Sequence, residues 1–400
     1  MKRFQAESLD DKIQRSLAKI GEWYARWNNE VYVSFSGGKD SSVLADLCAK
    51  WCNAINKTLY LVFVDTGLEY PEIRQHVKYF ADRLREKYGI EVVLDVLRPK
   101  MRFDEVIKKY GYPIISKEVG ESVSQAKKGL EHGQKYSYRL AKLRGEALDK
   151  NGNPSQFNTK KYEPLLYTDF NTSNKCCDVM KKSPAKKYAK ETGRKPITAQ
   201  MACESKLREQ KWLQNGCNGF DMKSPVSNPM SFWLEQDVLQ YIKEELLPIA
   251  SVYGEIVEKE GKLVTTGCSR TGCVFCGFGC HLDKSPTRFE KLKETHPRQY
   301  QYCIEGGEYA WVGRVKTSSR WKDFDFIKEN GERMSPDEIE RFMEEHRADE
   351  NYKFTRVWIP NKQGLGMGHV FDELNYIYGE GFVRYTSRSE WLDKLLGGDL

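Results

Sequence analysis

No apolar run in the 400-residue chain approaches the roughly 18 residues that a membrane-spanning helix needs. The opening stretch MKRFQAESLDDKIQRSLAKI has no apolar signal core. Together these absences predict a cytoplasmic protein with no membrane partner. There is no internal repeat, and no low-complexity stretch beyond lysine-rich patches. The 11 cysteines are an odd number in a chain without a secretion signal, so a disulfide framework is not expected. What is present is 40% hydrophobic and 30% charged residues, the balance of a globular protein, over a length that predicts two or three domains.

The net charge of +7 is unevenly spread. Residues 124–161 hold nine Lys/Arg against three Asp/Glu, and residues 175–195 hold eight against two. Both segments therefore exceed the balance of the whole chain and suggest a polyanionic partner, a nucleotide or a nucleic acid. A solvated lysine-rich surface is the alternative for either one.

Periodicity predicts a helix over residues 8–28 and a short strand at VYVSF (31–35), then a helix from SSVLADLCAKWC. TLYLVFVDT (58–66) reads as a strand buried on both faces, 70–89 as an amphipathic helix stopped by Gly89, and 90–99 as a third strand. This order predicts an α/β fold, a parallel twisted sheet with helices on both faces and ligands at the carboxyl ends of its strands. Residues 117–165 break the pattern as a basic insertion, beginning as one helix with tyrosines. A helix is expected over 231–248, and DKSPTRFEKLKETHPRQYQYCI reads as helical. The expected division is a nucleotide-binding domain over 1–250, a cysteine-rich segment over 251–305 and a small α+β appendage over 306–400, with a helix at 335–348 capped by Ser335-Pro336. Cys48 and Cys52, one helical turn apart, read as small buried apolar residues.

SFSGGKDSS lies between the first strand and the next helix. Gly37 and Gly38 let the backbone bend around an anion, Ser36, Ser41 and Ser42 add hydroxyls, Lys39 adds a full charge, and the helix N-terminus adds a favourable field. The turn has neither the Walker spacing nor the dinucleotide G-x-G-x-x-G. It resembles the PP-loop of the ATP-pyrophosphatase superfamily. FVDTGLEYPEI (63–73), CCDVMKKSP (176–184), KPITAQMACESKLR (195–208) and SNPMSFWLEQDVLQYIKEELLPI (227–249) narrow the resemblance to the phosphoadenosine-phosphosulfate reductase branch, across roughly residues 25–305. Glu72-Ile73 departs from the Glu-Thr of the familiar form. The resemblance implies an adenine nucleotide alpha hydrolase-like fold binding ATP with Mg2+. Ser36, Gly37, Gly38, Lys39, Asp40 and Ser41 would hold the phosphates, with Asp65 and Thr66 at the neighbouring strand end and Ser205 and Arg208 on phosphate or sulfate oxygens. Lys39, Asp40, Asp65 and Arg208 are the implied catalytic set. A salt bridge to Glu204, one turn earlier, is the plainer role for Arg208.

TGCSRTGCVFCGFGCH holds four cysteines in thirteen residues, and Cys176-Cys177 lie upstream. Thiolates suit iron–sulfur clusters and zinc alike. By resemblance to family members that reduce adenosine phosphosulfate, Cys176, Cys177, Cys273 and Cys276 would hold a [4Fe–4S] cluster. Zinc, or no metal, are the alternatives, and Cys268 and Cys280 complicate the choice. His281 is expected to be structural. Similar reductases carry a nucleophilic cysteine in a C-terminal Glu-Cys-Gly-Leu-His tail. This sequence closes on RYTSRSEWLDKLLGGDL, with Cys303 its last cysteine, and that argues against covalent sulfonucleotide reduction. It resembles instead the ATP-pyrophosphatase subunit of DNA phosphorothioation systems. That implies adenylation of an acceptor with release of pyrophosphate, in support of sulfur transfer, with nucleic acid along the two basic segments and a sulfur-donor protein as partners. A reductase or sulfate-activating enzyme using Cys280 or Cys303, and a non-catalytic nucleotide or nucleic-acid binding module, are the rival readings.

Overall fold

The computed structural model describes residues 2–318 and 320–386. Residues 387–400, the end of the expected appendage, lie outside the described residues. By its contacts the chain forms two compact units, Met1–Arg102 with Val179–Val274, and Phe103–Asp178 with Phe275–Leu400. The dividing points are thus not those near 250 and 305. Residues 117–165 and those after 305 share one unit, and the cysteine run divides after Val274.

The first unit opens with α1 (Lys2–Gln5) and α2 (Leu9–Arg26). Then come β1 (Val31–Ser34), α3 (Lys39–Ala54), β2 (Leu59–Val64), α4 (Pro71–Tyr88) and β3 (Val92–Leu97). Its six-stranded sheet runs β3-β2-β1, then Lys195–Ile197, Val226–Ser227 and Asn218–Gly219. Every pairing is parallel except the last. Side-chain alternation sends Val31, Val33, Leu59, Leu61 and Phe63 into the main core with α2, α3 and α4. Tyr32 and Val62 face the other way, against Tyr188 of the helix Ser183–Thr192. Helices therefore cover both faces, as the run of apolar strands implied. Pro71 opens α4 and Gly89, at φ +63°, closes it. Cys48 and Cys52 are fully buried in this core. The expected helix over 231–248 is shorter, Glu235–Glu244, because Leu234 is extended and Asp237 caps its backbone N–H at 2.7 Å.

Two buried ionic groups sit within this unit. Lys12 Nζ donates to both carboxylate oxygens of Asp237, at 2.8 and 2.7 Å. Asp46, fully buried in α3, accepts from Tyr241 Oη at 2.6 Å, Tyr88 Oη at 2.9 Å and Lys87 Nζ at 3.1 Å. Burial and the Asp46 charge hold both tyrosine hydroxyls well above their usual range.

The second unit contains the antiparallel strands Arg320–Phe324, Glu308–Thr317 and Tyr352–Ile359. The helix Pro336–Glu345 is capped by Ser335 Oγ, as expected. These strands are tied to the insertion. Arg314 Nη2 pairs with Glu131 at 2.7 Å, and Trp358 N–H donates to Asp169 O at 2.7 Å. The insertion's single expected helix is two, Lys117–Glu131 and Tyr138–Arg144, the second capped by Ser137. DKSPTRFEKLKETHPRQYQYCI also splits, at His296-Pro297, into Arg288–Thr295 and Pro297–Ile304.

Candidate functional site

The chain leaves β1 at Ser34 and starts α3 at Lys39, so the glycine turn stands at the carboxyl end of a central strand. Gly37 takes φ +72°, and a Cβ there would lie 2.7 Å from Val77 Cγ2 and 2.9 Å from Ile73 Cγ2 of α4. Gly37→Ala should therefore destabilise this unit by about 1–3 kcal/mol, read as a fall in thermal midpoint. Gly38 is the extended N-cap and has no side chain to block the first-turn amides of α3. The hydroxyls pre-shape the turn. Ser36 N–H donates to Ser41 Oγ at 3.2 Å, Gly38 N–H to Ser36 Oγ at 3.3 Å and Ser41 Oγ to Gly38 O at 2.9 Å.

Lys39 is only 3% exposed. Its Nζ donates to Ser269 O at 2.9 Å and pairs with Glu235 at 3.0 Å, with Asp40 Oδ1 at 3.8 Å. Asp40 Oδ1 is buried without a hydrogen-bond partner. Burial raises the Asp40 carboxyl, Lys39 and Arg270 pull it down, Glu235 raises it, and Arg208 lowers it. Tyr253 Oη accepts from Lys39 N–H at 3.3 Å and lies 2.6 Å from Thr271 Oγ1, while burial pushes its hydroxyl up to about 12. Behind the turn, Ser42 Oγ lies 3.2 Å from His76 Nε2.

Burial drives the His76 imidazole down to about 4. Between the unperturbed value of 6.5 and that point, the unfolded chain takes up a proton that the folded chain refuses. This residue's contribution is complete above the window, and about 3 kcal/mol of stability is lost as pH falls through it. Urea midpoints of the wild type and His76→Gln on either side of the window should show a flatter dependence for the variant.

Asp65 and Thr66 stand at the carboxyl end of β2, beside the turn in sheet order. Asp65 Oδ1 pairs with Arg74 at 3.1 Å and accepts from Gly67 N–H at 3.2 Å. Thr66 donates from N–H and Oγ1 to Glu69 at 3.0 and 2.8 Å. A cavity of about 130 Å³ lies between Ser34–Ser36, Val62–Val64, Glu69, Lys181, Thr271 and Gly272. Ser205 caps the helix Lys206–Asn215 by accepting from Arg208 N–H. Arg208 makes the ion pair with Glu204 that its spacing allowed, and also lies in electrostatic range of Asp40 and Arg270. The structure thus gathers Ser36–Ser41, Arg208 and the neighbouring Ser205 in one unit. It adds Glu69, Lys181, Glu235, Tyr253, Ser269, Arg270 and Thr271, which sequence reasoning did not single out.

The cysteines are arranged otherwise. Cys176, Cys177 and Cys276 belong to the second unit and Cys273 to the first. Among the described residues no three His, Cys, Asp or Glu side chains form a group able to hold a metal ion. Burial raises the Cys276 thiol, with Cys177 adding to the effect. Cys280 is buried and pushed up to about 12, and burial holds the Cys303 thiol well above its usual range, with its Sγ 3.4 Å from Met367 Sδ. His281 stacks on Phe382.

The basic insertion spends part of its charge internally. Lys127 Nζ donates to Thr168 O at 2.6 Å and Phe170 O at 2.9 Å, and burial brings its ammonium down to about 8. Lys142 is buried against Glu118 at 2.6 Å. Lys128, Lys135, Lys150, Lys160 and Lys161 remain exposed, as do Tyr136, Tyr138 and Phe157. No helix among the described residues is long and apolar enough to cross a membrane.

Comparison with known proteins bears on this site. Over 137 residues the chain is 36% identical to an uncharacterized protein of Methanocaldococcus jannaschii, covering 34% of this chain and 31% of that protein. A second uncharacterized protein of that organism is 35% identical over 105 residues, 26% of this chain and 20% of its own length. The glutamine-hydrolyzing GMP synthase of Stenotrophomonas maltophilia is 39% identical over 89 residues, 22% of this chain and 15% of that protein. The chain spans less than a third of the length of each of these relatives. The structure of NMN synthetase from Francisella tularensis overlaps 60% of this chain and 72% of that one at 16% identity, with a TM-score of 0.27, too loose to argue from. Residues 30–138 and 131–278 match the phosphoadenosine phosphosulfate reductase domain, which takes in the glycine turn, the Asp-Thr-Gly turn and the Ser205–Arg208 segment. With more than half of its length matched, the chain belongs to the phosphoadenosine phosphosulfate reductase domain family.

Proposed function

We propose that this protein is a PP-loop enzyme that activates an acceptor by adenylation. The observation that carries the reading is the Ser36–Ser41 turn, which is pre-shaped by its own hydroxyls. It stands over the N-terminus of α3, with buried Lys39 behind it and a cavity beside it. The first-turn amides and Lys39 suit a polyphosphate. The cavity is smaller than the ~300 Å³ of a whole-ligand pocket, so it takes one part of a nucleotide, the base. Asp40 Oδ1, buried and without a hydrogen-bond partner, suits the Mg2+ that accompanies ATP and neutralises phosphate charge. An acceptor oxygen attacks the α-phosphorus as the bond to the bridging oxygen breaks, and pyrophosphate leaves with the electron pair. Positioning and charge neutralisation by the amides, Lys39 and Arg208 are what such a transfer needs. The implied roles of Asp65 and Thr66 lie at the edge of this site, and Ser205 orients the Arg208 helix.

The adenylated acceptor would then serve sulfur transfer. Exposed lysines interleaved with Tyr136, Tyr138 and Phe157 favour a nucleic-acid acceptor, since cations track a backbone and aromatic faces stack bases. Sulfonucleotide reduction is the second reading. It is disfavoured because it needs an accessible thiolate, and Cys280 and Cys303 are buried and held as thiols. The test is incubation of anaerobically purified protein with ATP and Mg2+, with AMP and pyrophosphate quantified and iron, zinc and acid-labile sulfide measured. Stoichiometric AMP and pyrophosphate, increased by single-stranded nucleic acid, is the expected result. Intact ATP under every acceptor condition would sink adenylation in favour of a binding module. About four irons with sulfide per chain would show that the cysteines gather when loaded.

A further inference from the structure

The segment between Cys268 and Val274 is pinned at both ends within the first unit. At one end Cys268 N–H donates to Val252 O and Thr265 Oγ1 to Cys268 O, both at 2.9 Å. At the other, Val274 N–H donates to Leu68 O at 2.8 Å, just beyond the Asp65-Thr66-Gly67 turn. Between the pins the chain crosses the glycine turn as a strap. Gly272 and Thr271 border the cavity, Thr271 Oγ1 meets Tyr253 Oη at 2.6 Å, and Ser269 O accepts from Lys39 Nζ at 2.9 Å. Arg270 Nη1 reaches Glu204 Oε1 at 3.7 Å and lies within electrostatic range of Asp40 and Arg208.

The order along this strap is informative. Arg270 lies between Thr271, which borders the cavity, and Ser269, which holds Lys39 Nζ, so a nucleotide with its base in the cavity and its phosphates at the α3 amides and Lys39 brings those phosphates within reach of the Arg270 side chain. The existing partner does not fix that side chain. Arg270 is 63% exposed and its contact with Glu204 is long, so the pair is worth little. Glu204 also pairs with Arg208, so one carboxylate is shared between two guanidinium groups and holds Arg270 only through the longer, exposed contact.

We infer that Arg270 is a second phosphate-binding cation of this site, delivered by the strap, and that it selects ligands carrying a pyrophosphate unit over nucleoside monophosphates. The inference rests on the nucleotide reading above. Calorimetric binding of ATP, pyrophosphate and AMP to the wild type, Arg270→Ala and Arg270→Lys tests it. Loss of one charge-assisted contact should weaken ATP and pyrophosphate binding about 10- to 100-fold in Arg270→Ala, leave AMP binding unchanged and make the salt dependence shallower. Lysine should restore part of the loss, supplying the charge without the planar fork. Equal weakening of all three ligands would mean that Arg270 merely holds the strap, and no weakening would mean that it stays on Glu204. Either result overturns the proposal. A wild-type protein that binds none of the three overturns the nucleotide reading itself, and this assignment with it.

Discussion

Lys39→Ala should reduce pyrophosphate release from ATP by about 100- to 1000-fold, the scale on which loss of one pre-positioned charge-stabilising donor is felt. The side chain is positioned before a ligand arrives. It is buried, and its ammonium is aimed by Ser269 O and Glu235 rather than left to search in water. The fold should survive the change. Glu235 is 45% exposed and can take up water once Lys39 is gone, so the lost pair costs little stability. Lys39→Arg should not restore turnover, because a planar fork cannot place its charge at the compact point that Ser269 O and Glu235 hold for the ammonium. AMP formation followed by chromatography, with a thermal melt of each variant, separates the two effects. Turnover within a few-fold of wild type in Lys39→Ala would mean that ATP is activated elsewhere.

Asp237→Ala should destabilise the first unit by about 3–5 kcal/mol. Lys12 is 2% exposed and its ammonium has both of its bonds to that carboxylate, so truncation leaves a charge buried without compensation. The same carboxylate caps the helix Glu235–Glu244 through Leu234 N–H at 2.7 Å, which adds about 1 kcal/mol. The double variant Lys12→Met/Asp237→Leu removes both charges and should recover much of the loss. Urea denaturation of the three proteins measures it. A double variant no more stable than Asp237→Ala would mean that the capping bond, not the stranded ammonium, dominates.

The strands and helices that carry the glycine turn were legible because their signals are local. β1, α3, β2, α4 and β3 each declare themselves by period, by Gly89 or by Pro71. Ser36 to Ser41 suggest an anion site by residue type alone. Arg208 and Glu204 were legible as a pair because one helical turn separates them. The rest of the site was not, because proximity across the chain has no local signature. Tyr253 meets Lys39 from 214 residues away and Ser269 from 230. The run Ser269-Arg270-Thr271 was hidden by its flanking cysteines, which invite a metal reading of the whole stretch. The basic insertion shows the converse error. Counting lysines gives charge but not direction, and Lys127 and Lys142 point inward to carbonyls and a carboxylate.

The middle of the sheet carries a consequence for how the chain is made. β1 pairs on one side with β2, its near neighbour in sequence, and on the other with Lys195–Ile197. That second partner leaves the ribosome only after all of Phe103–Asp178 has been translated. At about 5–20 residues per second, the open edge of Val31-Tyr32-Val33 waits on the order of ten seconds for its partner. A bare apolar strand edge is a template for pairing with other nascent chains. Fragments ending before residue 195 should therefore precipitate, and the full chain should give more soluble protein at low temperature or with a holdase chaperone co-expressed.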